Sequence, residues 1–279
     1  MNLVIQSPTP LDAPHLKPLL GLARGASGGL VNPHTLRVVD AKLTQRPDIA
    51  IYCETHRLDY AYVEPQALSA FGLVAMDMDS TLITIECIDE IADFCGLKSE
   101  VAAITEAAMR GEIRDFNESL TRRVALLKGL EASALESVYN ERLNLSPGAE
   151  RMLAGARDAG LKTLLVSGGF VFFTERLKER LGLDFTRANT LEIVDGKLTG
   201  RVIGEIVNAD VKARTLRETC DTLGIAPSRA IAMGDGSNDL KMMAEAGLSV
   251  AFRAKPVVQD AATVAFNHVG LDGLLNLFV

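Results

Sequence analysis

The chain has 279 residues, 48% of them hydrophobic and 23% charged, with a formal net charge of −7. That much apolar material can bury a core in one large domain or two smaller ones, and the composition is that of an ordinary globular chain, not a disordered one. The acidic balance, with no basic cluster, argues against a nucleic-acid partner.

The four cysteines, Cys53, Cys87, Cys95 and Cys220, form no C-x-x-C pairing and lie in apolar stretches, so they read as reduced core residues. The four histidines are scattered, which leaves zinc chemistry without support. The N-terminus has no basic region ahead of an apolar stretch, and no window approaches the ~20 apolar residues of a membrane span. A soluble, cytoplasmic protein is expected.

Residues 1–70 read as a separate small α+β module. Leu3-Val4-Ile5 is a short strand, and residues 11–22 form a helix that starts near Asp12 with Pro14 in its first turn. Leu36-Arg37-Val38-Val39 and Ile49-Ala50-Ile51-Tyr52-Cys53 read as two further strands, with the glycine-rich segment 25–29 as a joint. No catalytic constellation occurs here. The strand–helix–strand order resembles the ACT-type ligand-binding domain. A regulatory unit, a homodimerisation surface and a purely structural appendage are the open alternatives.

Residues 71–279 read as the second unit. Leu73-Val74-Ala75-Met76 is an apolar run without a polar break, the pattern of a strand buried on both faces. It leads into Asp77 and Asp79, which then sit at the strand's C-terminal end, where ligands bind in open α/β sheets. The bland alternative is an Asx-turn followed by a helix-capping acid.

Residues 84–146 then turn helical. Ile88, Ile91, Ala92 and Cys95 share one helix face, and further helices are expected over 101–109, 116–127 and 132–142. A connection this long suits a lid over the site.

Beyond Pro147-Gly148 helices and strands alternate. A helix over 149–159 precedes a buried strand, residues 162–166, that ends at Ser167-Gly168-Gly169. After a helix over 170–181, Asp195-Gly196 marks a β-hairpin, and Lys212 lies on a helix over 209–223. The strand at 229–233 runs into Gly234-Asp235-Gly236-Ser237-Asn238-Asp239, and strands at 248–251 and 263–265 follow. The alternation implies a mostly parallel sheet.

Three buried strands thus end in polar signatures, with Lys212 between the last two. This order of acid pair, Ser-Gly, lysine and Gly-Asp-x-x-x-Asp is similar to the four-motif signature of the haloacid-dehalogenase-like phosphotransferases, over residues 71 to about 265. Within that superfamily the chain resembles the phosphoserine phosphatases. The resemblance rests on Asp77-x-Asp79-Ser80-Thr81, Glu86, Phe116-Asn117-Glu118-Ser119-Leu120, Arg122-Arg123-Val124 and Ser167-Gly168-Gly169-Phe170.

It implies an α/β fold with a Rossmann-type parallel sheet and a helical cap at about 84–146, beside the N-terminal α+β module. It also implies Mg²⁺-dependent hydrolysis of O-phospho-L-serine through an aspartyl-phosphate, the last step of L-serine biosynthesis.

The residue chemistry agrees. A carboxylate such as Asp77 is ionised at neutral pH and needs no activating base to act as nucleophile. Its repulsion from a dianionic phosphate, roughly 1 to 4 kcal/mol per charge pair at ~4 Å, calls for a cation bridging Asp77 and Asp235, and oxygen-only ligands favour Mg²⁺. The resemblance adds the Asp79 carbonyl as a metal ligand, Asp239 behind the metal's waters, and Asn238 at the phosphate.

Asp79 is the candidate general acid and base, while Ser167, the Gly168 amide and Lys212 are candidates to hold phosphate oxygens. Glu86 suits the substrate ammonium, Arg123 its carboxylate, and Phe116 shields the site. Arg122 is expected on the solvent side. The rivals are a phosphatase or phosphotransferase for another small acceptor, and a non-catalytic phosphorylatable module.

Overall fold

The computed structural model describes residues 1–109, 112–113 and 115–279, with only the backbone of Ala108 and Met109. The expected cap therefore includes residues 110, 111 and 114, which lie outside the described set.

The first 63 residues contain β1 (Asn2–Gln6), α1 (Ala13–Ala23), β2 (Ser27–Asn32), β3 (Thr35–Val39), α2 (Arg46–His56) and β4 (Asp59–Val63). The strands form an antiparallel sheet in the order β2-β3-β1-β4. Asp12 caps α1 by accepting from the His15 amide, with proline in the first turn as anticipated.

Two expectations fail here. Residues 49–53 are not a strand but the middle of α2, where Ile49 and Cys53 are buried four positions apart and Ile51 is 65% exposed. A five-residue apolar run cannot separate the two periods by itself. Pro47 in the first turn was the helix signal, and the missing strand is β4. The glycine-rich joint also becomes extended, since β2 begins at Ser27 and pairs with β3.

The second sheet has seven strands in the order β11-β10-β9-β5-β6-β7-β8. Its elements are β5 (Leu73–Met76), α3 (Cys87–Phe94), α4 (Lys98–Met109), α5 (Phe116–Leu126), α6 (Ser133–Glu141), α7 (Ala149–Asp158), β6 (Lys162–Phe170), α8 (Val171–Leu181), β7 (Phe185–Val194), β8 (Lys197–Ile203), α9 (Ala209–Leu223), β9 (Ala230–Gly234), α10 (Leu240–Glu245), β10 (Leu248–Phe252), α11 (Pro256–Ala261) and β11 (Val264–Phe266). Neighbouring strands from β11 to β7 pair in parallel, and β8 is the antiparallel arm of the hairpin turned by Asp195 and Gly196, both at positive φ.

β5, buried on both faces, lies between β6 and β9, so its C-terminal end adjoins theirs. β6 does not stop at Val166. It continues through Ser167-Gly168-Gly169 to Phe170, with an irregular register against β7 over that stretch.

Helices α3 to α6 rise from two connecting segments bonded to each other: the Thr84 amide donates to the Asn144 carbonyl (2.9 Å) and the Ser146 amide to the Leu82 carbonyl (2.9 Å). The β7–β8 hairpin is tied to this insertion, because Leu198 exchanges backbone hydrogen bonds of 2.8 Å with Gly129 and Leu130. Among the described residues no helix is long and apolar enough to cross a membrane.

The N-terminal sheet is clamped onto the larger one. The Asp59 carboxylate accepts from three consecutive backbone amides, those of Asn267 (2.9 Å), His268 (2.9 Å) and Val269 (2.8 Å). Val4, Ala61 and Val63 share a continuous apolar core with the seven-stranded sheet. Asp59→Ala should therefore cost about 2–4 kcal/mol, since it strands several amides at once. A urea midpoint unchanged from the parent would refute the clamp.

Candidate active site

The site forms at the C-terminal ends of β5, β6 and β9. Past β5 the Asp77 amide still donates to Met233 (3.0 Å), so the ladder holds the nucleophile candidate in place. The chain then turns sharply, with Ser80 at φ +56°, a left-handed conformation costly for a non-glycine residue. This turn brings Asp79 beside the start of α3, where its carboxylate accepts from the Cys87 amide (3.1 Å).

Beneath Asp77 lies Lys212 on α9, completely buried. Its ammonium sits 2.8 Å from an Asp77 oxygen and 2.7 Å from an Asp239 oxygen. Burial alone would pull this lysine toward neutrality, but the two carboxylates outweigh it and hold it charged. Asp77 is raised well above the usual carboxylate range, first by burial and then by Asp239, because two acids share one ammonium.

Asp235 accepts from the Thr81 hydroxyl (3.1 Å) and is pushed up to about 6 by burial and by Asp239. The carboxylate oxygens of Asp77, Asp235 and Asp239 lie within 4.8 Å of one another. Three clustered acids, two of them paired with the Lys212 ammonium, leave surplus negative charge, and an oxygen-only donor set of this kind fits a hard divalent cation. Asp239 stands in this trio beside the other two.

On β6, Ser167 is buried and its Oγ accepts from the Gly169 amide (2.8 Å). A Cβ at Gly169 would stand 2.7 Å from an Asp79 oxygen, and one at Gly168 would stand 3.0 Å from the Phe116 ring, so the strand approaches this closely only because both are glycines. Glu86 accepts from the Ser80 hydroxyl (2.6 Å). Asp77, Asp79, Glu86, Phe116, Arg123, Ser167, Gly168, Asp235 and Asn238 all line one cavity of about 450 Å³, with Lys212 and Asp239 buried. Arg122 points away and pairs with Glu118 on the exposed face of α5.

The family model for the haloacid dehalogenase-like hydrolases matches residues 74–244. The chain belongs to the haloacid dehalogenase-like hydrolases. A phosphoserine phosphatase of Polaromonas sp. is 61% identical over 214 residues, 75% of this chain and 91% of that one.

A haloacid dehalogenase family hydrolase from Salmonella enterica serovar Typhi superposes with a TM-score of 0.89 at 34% identity, over 99% of this chain and 98% of that one. A phospho-aspartyl intermediate analogue of phosphoserine phosphatase superposes with a TM-score of 0.70 at 37% identity, over 77% of this chain and all of that one. A second family model, for a domain of unknown function, matches residues 3–49.

Several supporting residues of this hydrolase carry little signal in the sequence. Asn189 on β7 donates to the Gly168 carbonyl (2.7 Å) and accepts from the Val207 amide (2.8 Å), fixing the Ser-Gly-Gly segment from behind. An asparagine inside a strand was the only signal. Ser80 and Thr81 stand in the sequence as part of a motif, and only the fold shows that they donate to Glu86 and Asp235.

The hydrolase's acids also set a pH dependence. Burial, then the charge of Glu86, raises Asp79 to about 7. An acid raised on folding favours the fold below its unfolded value near 4, and that contribution is lost as pH climbs through the folded value. The loss should run from about pH 4 through about 6 for Asp235 and about 7 for Asp79. In EDTA the melting temperature should fall over this window. Saturating divalent cation favours the ionised acids and should flatten the fall, so parallel curves in the two media would contradict the assignment.

Proposed function

We propose that this hydrolase converts O-phospho-L-serine and water to L-serine and phosphate, with Asp77 as nucleophile. The observation that carries the reading is the meeting of the Asp77–Asp79 pair with Glu86 and Arg123 in one cavity of about 450 Å³. A substrate with a phosphate at one end and an ammonium and a carboxylate at the other needs both sets together.

An Asp77 oxygen attacks phosphorus in line with the departing serine oxygen, forming an aspartyl-phosphate and breaking the ester bond. Asp79 gives its proton to the leaving alkoxide. Now ionised, it takes a proton from the water that attacks the aspartyl-phosphate, which returns Asp77 and releases phosphate. A group near pH 7 serves both directions at neutral pH, and burial brings Asp79 to about 7.

Ser167, the Gly168 amide, Lys212 and Asn238 hold the phosphate oxygens. Glu86 takes the ammonium and the Arg123 fork the carboxylate, while Phe116 excludes water. Asp77, Asp235 and the Asp79 carbonyl would hold Mg²⁺, with Asp239 supporting from behind. When bound, the ion supplies neutralisation of phosphate charge. A cytoplasmic, homodimeric enzyme with a separate N-terminal module at 1–70 completes the reading.

The test is phosphate release from O-phospho-L-serine with Mg²⁺ and in EDTA, against a panel of other small phosphoesters. The expected result is Mg²⁺-dependent turnover with phosphoserine preferred. Faster turnover of an ester lacking the amino and carboxyl groups would overturn the substrate assignment.

A further inference from the structure

The substrate-facing end of the cavity holds one acid that the reaction above leaves unused. Asp89, in the first turn of α3, lines the cavity together with Arg123 of α5. Asp89 Oδ1 and Arg123 Nε are both buried, and each lacks a hydrogen-bond partner. A buried charged donor and a buried charged acceptor left unpaired in one wall are each costly, and each is the remedy for the other.

Arg123 forms no ion pair among the described residues. Burial depresses Arg123 and raises Asp89, and after burial the strongest influence on each is the charge of the other. Glu86, the other acid at this end, already accepts from the Ser80 hydroxyl.

We propose that Asp89 is a positioning residue for Arg123: it accepts a hydrogen bond from Nε when substrate binds, and so aims the two-pronged Nη edge at the substrate carboxylate. The inference rests on the phosphoserine reading above and deepens it. A guanidinium has five donors in a rigid fork, so fixing Nε fixes the direction of the edge that grips a carboxylate bidentately. Without that anchor Arg123 keeps its charge but loses its aim.

The experiment compares O-phospho-L-serine with O-phosphoethanolamine, which keeps the ammonium and phosphate but has no carboxylate. Kinetics are measured for the parent, Asp89→Ala, Asp89→Asn, Arg123→Ala and the Asp89→Ala/Arg123→Ala double variant. Asp89→Ala should raise KM for phosphoserine about tenfold, the size of one lost charge-assisted hydrogen bond, with kcat little changed. Phosphoethanolamine kinetics should not move. Asp89→Asn keeps an acceptor oxygen of the same shape and should recover most of the loss.

The double variant should be no worse than Arg123→Ala alone, because Asp89 acts through Arg123. Equal losses on both substrates would make Asp89 merely structural, and full additivity in the double variant would separate it from Arg123; either overturns the proposal. If the parent itself shows no preference for phosphoserine over phosphoethanolamine, the phosphoserine reading fails first and takes this inference with it.

Discussion

Asp77→Asn is expected to lower phosphate release from O-phospho-L-serine by about 10⁴-fold or more, because an amide oxygen cannot take up a phosphoryl group under these conditions. The fold should survive. Asparagine keeps the shape of the side chain, and the Met78 amide, 2.7 Å from an Asp77 oxygen, can still find an acceptor there. Lys212 retains Asp239 at 2.7 Å as its counter-charge. The melting temperature should stay within a few degrees of the parent, so loss of activity reports the missing nucleophile. Turnover within about tenfold of the parent in the presence of Mg²⁺ would remove Asp77 from its role and the aspartyl-phosphate with it.

Lys212→Met carries the opposite signature: activity and stability fall together. Methionine matches the length of the stem but takes away the ammonium that bridges Asp77 and Asp239, both buried. Breaking a buried ion pair from one side costs about 3–5 kcal/mol, which for a chain of this size is on the order of 10 °C in melting temperature. Mg²⁺ should restore part of the stability, since a cation against the same carboxylates replaces the lost charge, while EDTA should not. Thermal melts in the two media decide it. A variant that melts with the parent in EDTA would mean that Lys212 does not neutralise the acid pair.

The two variants also separate what motif and geometry contribute to the reading. Asp77, Ser167, Lys212 and Asp235 stood out in the sequence as polar residues ending buried runs or lying between them in a recognisable order. The partner of each did not. Lys212 was read as a phosphate ligand, and its bonds to Asp77 and Asp239 appear only once α9 packs under the sheet. The sequence also leaves unstated that the carboxylate of Asp239 lies within 4.8 Å of those of Asp77 and Asp235.

Local pattern also misled where it was short. The apolar run at 49–53 has no period of its own; apart from Pro47 ahead of it, its burial at Ile49 and Cys53 is what shows it to be helical. Ser167-Gly168-Gly169 reads as the end of the strand because glycine usually weakens strands. Here it stays in the strand so that Asp79 and Phe116 can approach the backbone.

By itself the amino-acid sequence determined the order of elements in the larger unit, the central buried strand and the chemistry at its end. Apolar runs and motif spacing are written along the chain, and it is the order of the motifs, not the acid pair alone, that points to the chemistry. Only the tertiary structure decided which charges neutralise which, how Asp59 fastens the N-terminal sheet through three amides 208 to 210 positions away, and that Asp89 and Arg123 face one cavity unpaired. Those outcomes depend on distances between segments remote in sequence. Hydrogen bonds need contact within a few ångströms and Coulomb energies fall as the inverse of distance, so no local pattern encodes them.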